Sequence, residues 1–146
     1  MISKKHKIER VLLHLKRNRL MALGTVVGGT PWGATVFYAF DRALNLFFYS
    51  REDTKHCRNI KKNPRVSVII NHAWKDPDGS IKGLQITGRA QKVLKKDYDR
   101  YYRLYKARFR WADEFAADHM LYRITPGEIW YIDEKFFGHF FRVRVI

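Results

Sequence analysis

Apolar residues recur along this chain mostly with the spacing of β-strands. Alternating side chains at 20–27 and 32–40 predict two strands joined by a tight turn at Gly28 and Gly29, because adjacent glycines admit positive φ angles. In a later strand, Gly88 predicts a bulge of the kind that a small barrel needs in order to close. Apolar or β-branched runs bounded by turn residues predict the remaining strands, at 44–49, 66–70, 81–94, 120–124, 129–133 and 139–145.

Helical spacing appears in four shorter stretches. Residues 3–17 place Val11 and Leu15 on one face, which is typical of an amphipathic helix packed across the open end of a barrel. Residues 97–109 carry an aromatic stripe typical of a core or a subunit contact, and 111–117 form a short helical piece. Another helix begins at Asp53 or Thr54 and ends before Pro64, since proline cannot continue the hydrogen-bond ladder.

These elements predict one domain, 1–146, of the mainly β (α+β) class. The expected architecture is a split antiparallel β-barrel with flanking helices. A length of 146 residues and a hydrophobic fraction of 46% suit a single folded core. At the end of the chain, Phe141, Val143 and Val145 are expected to face that core.

The start of the helix near Thr54 is a candidate phosphate site. This helix follows a buried strand, so its unpaired backbone N–H groups and the positive end of its dipole are expected beside Ser50, Thr54 and Lys55. Hydroxyl groups and cations at such a helix start favour binding of a phosphate group. An ordinary solvated helix cap is the alternative.

The formal net charge of +15 attracts anions of any kind. The cations concentrate in two predicted helical regions, 4–19 and 95–110. These regions are either solvated helix faces or a surface for nucleic acid. Because the aromatic residues follow core periodicity and are not interleaved with the cations, we expect only non-specific nucleic-acid binding.

The sequence contains no motif for metal binding or for a disulfide. The six histidines are scattered and Cys57 is the single cysteine, so we expect neither a metal site nor an intramolecular disulfide. Cys57 is either a reactive thiol beside Lys55 and His56 or a small apolar residue packed inward. Charged residues interrupt the apolar stretch near the N-terminus, so we expect no signal peptide and no membrane partner, and a cytoplasmic location.

Three motifs, in this order, resemble the pyridoxamine 5'-phosphate oxidase-like family of FMN-binding split barrels, in particular its small uncharacterised bacterial branches. They are Gly29-Thr30-Pro31 leading into 34–38, then Tyr49-Ser50 with Thr54-Lys55-His56 and Asn63-Pro64-Arg65-Val66, and finally the segment 82–90. The resemblance extends over most of the chain. It implies FMN as the cofactor and a homodimer with two FMN sites at the subunit interface.

The resemblance also implies which residues bind FMN. The strand residues that would line the flavin ring are Ala34, Thr35, Val36 and Phe37, and the residues at or beside the phosphate would be Tyr49, Ser50, Thr54, Lys55 and His56. Small residues at Gly33 and Ala34 allow a flat ring to approach the backbone. Catalytic residues are unassigned, and so is any flavin contact of Lys82, Gln85, Trp130 or Arg142.

The implied function is that of an FMN-dependent oxidoreductase acting on a small molecule. Ala34 stands where the vitamin-forming oxidase has an arginine, and that enzyme's substrate-phosphate residues have no counterpart here beyond Lys135, His139 and Arg142. Pyridoxamine phosphate is therefore not the expected substrate. Two alternatives remain: a flavin- or haem-binding protein of the same fold without turnover, and a basic nucleic-acid-binding domain.

Overall fold

The computed structural model of this protein describes residues 2–73, 79–138 and 141–146. In these ranges the strands are β1 (Leu20–Val27), β2 (Thr30–Phe37), β3 (Ala39–Phe40), β4 (Leu46–Arg51), β5 (Arg65–Asn71), β6 (Lys82–Lys92), β7 (His119–Asp133) and β8 (Arg142–Arg144). The helices are α1 (Lys4–Arg17), α2 (Lys55–Lys62), α3 (Tyr98–Arg108) and α4 (Glu134–Phe137). Two 3₁₀-helices span Lys95–Asp97 and Arg110–Phe115.

All of these strands belong to one antiparallel sheet with the order β2-β1-β5-β6-β7-β4-β3, and β8 pairs with β7. The sheet curls into a half-open barrel flanked by helices, so the predicted split barrel is confirmed. Its register shifts between Thr87 and Gly88, where β6 pairs with β7, which confirms the bulge predicted at Gly88.

Two apolar clusters fill the molecule on opposite faces of β4. Leu46 and Phe48 point into the barrel cluster, whereas Phe47 and Tyr49 point into a second cluster beneath α3. The aromatic stripe of α3 joins that second cluster through Tyr105. The stripe therefore packs on the core, which is one of its two predicted roles. Strand β4 is a continuous apolar run because both of its faces are buried.

Helix α1 closes one end of the barrel, as predicted. Val11 and Leu15 are buried in the barrel cluster, and His14 is buried beside them. The carbonyl groups at the end of α1 accept hydrogen bonds from two distant side chains: the Tyr38 hydroxyl donates to the Leu15 carbonyl at 2.8 Å, and the Arg108 guanidinium donates to the same carbonyl at 3.0 Å. These bonds join α1 to α3 and to the chain between β2 and β3.

Two sequence predictions about strands were wrong. The predicted strands 120–124 and 129–133 are one strand, β7, because Pro126 lies at the bulge opposite Gly88 and needs no ladder hydrogen bond there. The predicted strand 32–40 is interrupted at Tyr38, and its last residues form β3 against β4.

The C-terminal segment also differs from its prediction. Val145 is buried, but Phe141 is 64% exposed, because the short β8 begins only at Arg142. Within the predicted strand 139–145, His139 lies outside the described residues. Among the helices that the structure describes, none is long and apolar enough to cross a membrane.

Candidate functional site

The start of α2 presents an array of hydrogen-bond donors. Thr54 is the N-cap residue, and its hydroxyl accepts a hydrogen bond from the Cys57 amide. In the described backbone hydrogen bonds the amides of Lys55 and His56 have no partner, as expected for a first helical turn. The first turn contains no acidic residue. The Thr54 hydroxyl donates its own proton to the Arg51 carbonyl at 2.9 Å, so the groups that suit an anion are the two amides and the Lys55 ammonium group.

The two acidic residues before α2 are paired with cations. Asp53, the alternative cap in the sequence, forms a bidentate ion pair with Arg51, with nitrogen to oxygen distances of 3.1 and 2.6 Å. Glu52 lies 2.7 Å from the Lys92 ammonium group. Because both carboxylates are compensated, they do not oppose an anion at the helix start.

A cavity of about 470 Å³ opens beside this helix start. It lies between β2, the end of β4, the start of α2 and the segment from α3 to β7. The residues that line it are Thr35, Val36, Phe37, Tyr49, Ser50, His56, Tyr105, Trp111, Glu114, Phe115 and His119. A mainly aromatic wall with a few polar groups at one end, in a space of this size, is typical of a small-molecule site.

His56 connects the cavity to the helix cap. Its Nε2 atom lies 3.0 Å from the Ser50 hydroxyl oxygen and 3.4 Å from the Thr54 hydroxyl oxygen. Burial lowers the pKa of His56 from its ordinary value, so the imidazole is neutral at pH 7. Positive charge at this end of the cavity therefore comes from Lys55 and the helix dipole.

The structure brings six of the nine predicted FMN residues into the wall of this one cavity: Thr35, Val36, Phe37, Tyr49, Ser50 and His56. Thr54 and Lys55 do not line this cavity; they precede His56 at the start of α2, and the Lys55 ammonium group lies 4.2 Å from the centroid of the exposed Trp32 ring. Ala34 lies outside the wall, half-buried in β2 opposite Leu23.

Five residues of the wall were not predicted from the sequence: Tyr105, Trp111, Glu114, Phe115 and His119. They come from α3, the following 3₁₀-helix and the start of β7. The aromatic stripe was correctly identified as core, but the sequence does not show that its continuation through Trp111 and Phe115 returns to β2. The contact is direct, because the Phe37 and Trp111 ring centroids are 5.3 Å apart.

The residues left unassigned in the sequence lie elsewhere. Gln85 and Trp130 are opposite each other on β6 and β7, and Arg142 donates a hydrogen bond of 2.9 Å to the Gln85 side chain. At the start of β6, the Lys82 ammonium group lies 3.8 Å from an Asp133 carboxylate oxygen. Gln85, Trp130 and Arg142 thus form a group on the sheet that does not line this cavity.

Cys57 is packed inward, with 2% of its surface exposed. Burial raises the pKa of its thiol. The reactive-thiol interpretation is therefore wrong, since an activated cysteine needs a lowered pKa. No group of histidine, cysteine and acidic residues that could hold a metal ion occurs within the described ranges.

A model of the family described as pyridoxamine 5'-phosphate oxidase matches residues 8–133 of this chain. The chain belongs to this family. One relative of this chain is the UPF0306 protein PM1958 of Pasteurella multocida (strain Pm70). The two sequences are 25% identical over 122 residues, which cover 83% of this chain and 76% of that protein.

Solved structures show that this oxidase-family fold occurs with different ligands. A haem-binding protein from Mycobacterium smegmatis has a TM-score of 0.81 at 14% identity, over 99% of this chain and 58% of that one. A FAD-binding protein from Mesorhizobium loti has a TM-score of 0.72 at 21% identity, over 86% of this chain and 91% of that one. The chain thus spans little more than half the length of the mycobacterial structure.

The residues present in this oxidase-family chain suit a flavin mononucleotide. A phosphate group needs several directed donors and a positive field, which the first turn of α2 supplies through the amides of Lys55 and His56. A flat tricyclic ring needs an apolar slot, which the cavity beside Phe37 and Trp111 supplies.

Proposed function

We propose that this protein binds FMN in the cavity between β2 and α2 and acts as a flavin-dependent oxidoreductase on a small molecule. The observation that carries the proposal is the junction of an anion-suited helix start with an aromatic-walled cavity, joined by the hydrogen-bonded pair of His56 and Ser50. When bound, the flavin supplies the hydride-transfer chemistry.

In this proposal the protein's residues position the cofactor and exclude water. Lys55 and the free amides of α2 hold the phosphate, and Thr54 caps the helix turn that presents these amides. Ser50 and the neutral His56 lie where the phosphate arm meets the ring. Thr35, Val36 and Phe37 line the cavity from β2, as the family resemblance implied for the ring. Trp111 and Phe115 line the cavity from the segment that follows α3.

We further propose a homodimer in which the outer face of the sheet is covered. Ala22, Ile69, Gln85 and Trp130 lie side by side across β1, β5, β6 and β7. Ile69 is 44% exposed in the single chain, and β2 is an edge strand with exposed Trp32 and Phe37. An exposed sheet face that carries Ile69 and Trp130 is a candidate subunit interface, with Gln85 and Arg142 as its polar part.

The phosphate assignment predicts that the protein binds FMN more tightly than riboflavin, and that Lys55→Ala removes much of this preference. Loss of one charge-assisted hydrogen bond should weaken FMN binding by about 1.5 to 3 kcal/mol while leaving riboflavin affinity nearly unchanged. Flavin fluorescence quenching measures both affinities.

The matched control is Lys62→Ala, which removes the same charge from the far end of the same helix. It should leave both affinities close to those of the wild type. Equal affinity of the wild-type protein for FMN and riboflavin would show that the helix start does not hold the phosphate.

Haem is the second candidate ligand, and one observation favours it. His119 lines the cavity with 21% of its side chain exposed, and its Nδ1 atom lies 2.7 Å from an Asp118 carboxylate oxygen. This arrangement orients the ring and leaves Nε2 available to a metal, as in many metal-binding histidines. Absorbance of the protein after incubation with each cofactor separates the candidates, since only haem gives a Soret band and His119→Ala would remove it.

A further inference from the structure

A second cavity, of about 490 Å³, lies against a different side of α2 and shares none of its lining residues with the candidate flavin site. It is bounded by α2, the turn at Pro64 and the strands β6 and β7. His56 faces the first cavity, whereas its neighbour Cys57 faces the second. The residues lining this second cavity are Glu52, Cys57, Arg58, Ile60, Lys61, Pro64, Ala90, Gln91, Lys92 and Tyr122.

The floor of this second cavity is apolar and firmly held. Cys57, Ile60, Ala90 and Tyr122 are each no more than 4% exposed. The Tyr122 ring stacks on Phe48 with centroids 4.9 Å apart and planes 6° apart. Burial raises the pKa of the Tyr122 hydroxyl and that of the Cys57 thiol. The floor is therefore uncharged at neutral pH.

The rim of the second cavity is cationic. Lys92 is compensated by its ion pair with Glu52. Arg58 and Lys61, which are both exposed, have no carboxylate within ion-pair distance among the residues that the structure describes. Two cations without an ion pair among the described residues, one helical turn apart, thus lie beside an apolar floor under α2.

We propose that this second cavity binds an organic anion, in which a carboxylate, sulfonate or phosphate group contacts Arg58 and Lys61 and an apolar body covers the floor. Charge complementarity selects the head group. The buried floor selects the body, because an inorganic ion would leave the apolar surface in water. Nucleic acid is a poorer match, since its bases stack on exposed aromatic rings and Tyr122 is buried with its face against Phe48.

Two probes test the proposal on the intact protein. The first, 1-anilinonaphthalene-8-sulfonate, is an aromatic sulfonate whose fluorescence rises in an apolar environment. The second, decanoate, joins the same kind of charge to an alkyl body and is used as a competitor below its micelle concentration. We expect saturable sulfonate binding that decanoate displaces and that inorganic phosphate at the same concentration does not.

Single charge reversals locate the binding. Lys61→Glu should weaken sulfonate binding about tenfold, because it replaces one attraction by one repulsion at a partly exposed site. Lys62→Glu is the matched control, since it makes the same change on the next residue, which does not line the second cavity. It should change the affinity less than twofold. Circular dichroism checks that both variants are folded.

Three results would overturn the proposal. Equal losses in Lys61→Glu and Lys62→Glu would mean that only the overall charge matters. A loss in Lys55→Glu without one in Lys61→Glu would place the probe in the candidate flavin cavity. Displacement by inorganic phosphate as effective as by decanoate would show that the floor has no role. The proposal does not depend on FMN binding, so each of the two proposals can fail without the other.

Discussion

A buried histidine links the stability of this fold to pH. His14, on α1, is 2% exposed, and its Nε2 atom donates a 2.8 Å hydrogen bond to the Ile70 carbonyl. Burial lowers its pKa, as do the charge of Lys82 and the nearby His72 to a smaller degree, while the Ile70 hydrogen bond and Asp133 act in the opposite direction. In the folded protein His14 is therefore neutral at pH 7 and resists protonation.

The sign of this effect gives a prediction. Because the unfolded chain protonates His14 at its ordinary pKa of 6.5, the free energy of unfolding should fall as pH drops below 6.5, until the lowered folded pKa is reached. The slope for one proton is about 1.4 kcal/mol per pH unit. His14→Gln, which keeps a donor and does not titrate, should reduce the slope measured by urea unfolding. The part that remains belongs to groups such as His56, and an unchanged slope would contradict the assignment.

Single residues also show how far the sequence could predict the candidate site. Ser50, Thr54, Lys55 and His56 are close together in sequence, so their proximity at the start of α2 followed from local helix rules. His119 is distant in sequence, and it approaches Tyr49 only because β4 pairs with β7. Such long-range pairing leaves no trace in local periodicity, so half of the cavity wall could not be predicted.

Among the elements, β6 gives the clearest packing prediction. At its bulge, a Cβ atom built on Gly88 would lie 2.7 Å from the Thr125 carbonyl oxygen and 2.8 Å from Ile124 Cγ2. Gly88→Ala should therefore destabilise the fold by about 1 to 3 kcal/mol. The control is Gly33→Ala in β2, where a Cβ atom would meet nothing within 4 Å. Thermal unfolding of both variants gives the comparison, and equal melting temperatures would rule out the close approach at the bulge.

Most element positions were predictable because they depend on local patterns. The alternation in β1 and β5 and the cap and proline around α2 set those elements within a few residues. Pro126 and Gly127 misled the prediction of β7, since proline followed by glycine normally indicates a turn. Here the two residues lie at a bulge, where Pro126 pairs with Gly88 of the partner strand β6. A sequence pattern cannot show which strand lies opposite.

At the scale of the whole molecule, the proposed homodimer predicts different oligomeric states for two variants. Ile69→Glu places a charge in the middle of the outer sheet face and should give a monomer by sedimentation equilibrium at micromolar concentration. Leu13→Glu makes a similar change at a site of nearly equal exposure on α1, 45% against 44%, and should leave a dimer. A wild-type monomer that still binds FMN would contradict a site formed between subunits.

The net charge of +15 also belongs to the whole molecule. On α1 the cations lie opposite the buried Val11 and Leu15, which matches the interpretation of a solvated helix face. On α3, Tyr105 is buried and the half-buried Tyr98, Tyr101 and Tyr102 pack against the second cluster, so these rings belong to the core side of the helix. That nucleic-acid binding is only non-specific stays a prediction, as does the cytoplasmic location.

The position of β7 in the sheet has a consequence for how the chain is made. This strand is hydrogen-bonded to β4, β6 and β8, although it comes after residue 118. During synthesis, β4 and β6 therefore leave the ribosome long before their common partner exists. Until β7 is made, each of these strands has an unpaired edge, and both faces of β4 are apolar. The sheet closes only after β7 has been made, and such long-range pairing favours slow folding with exposed strand edges in the meantime.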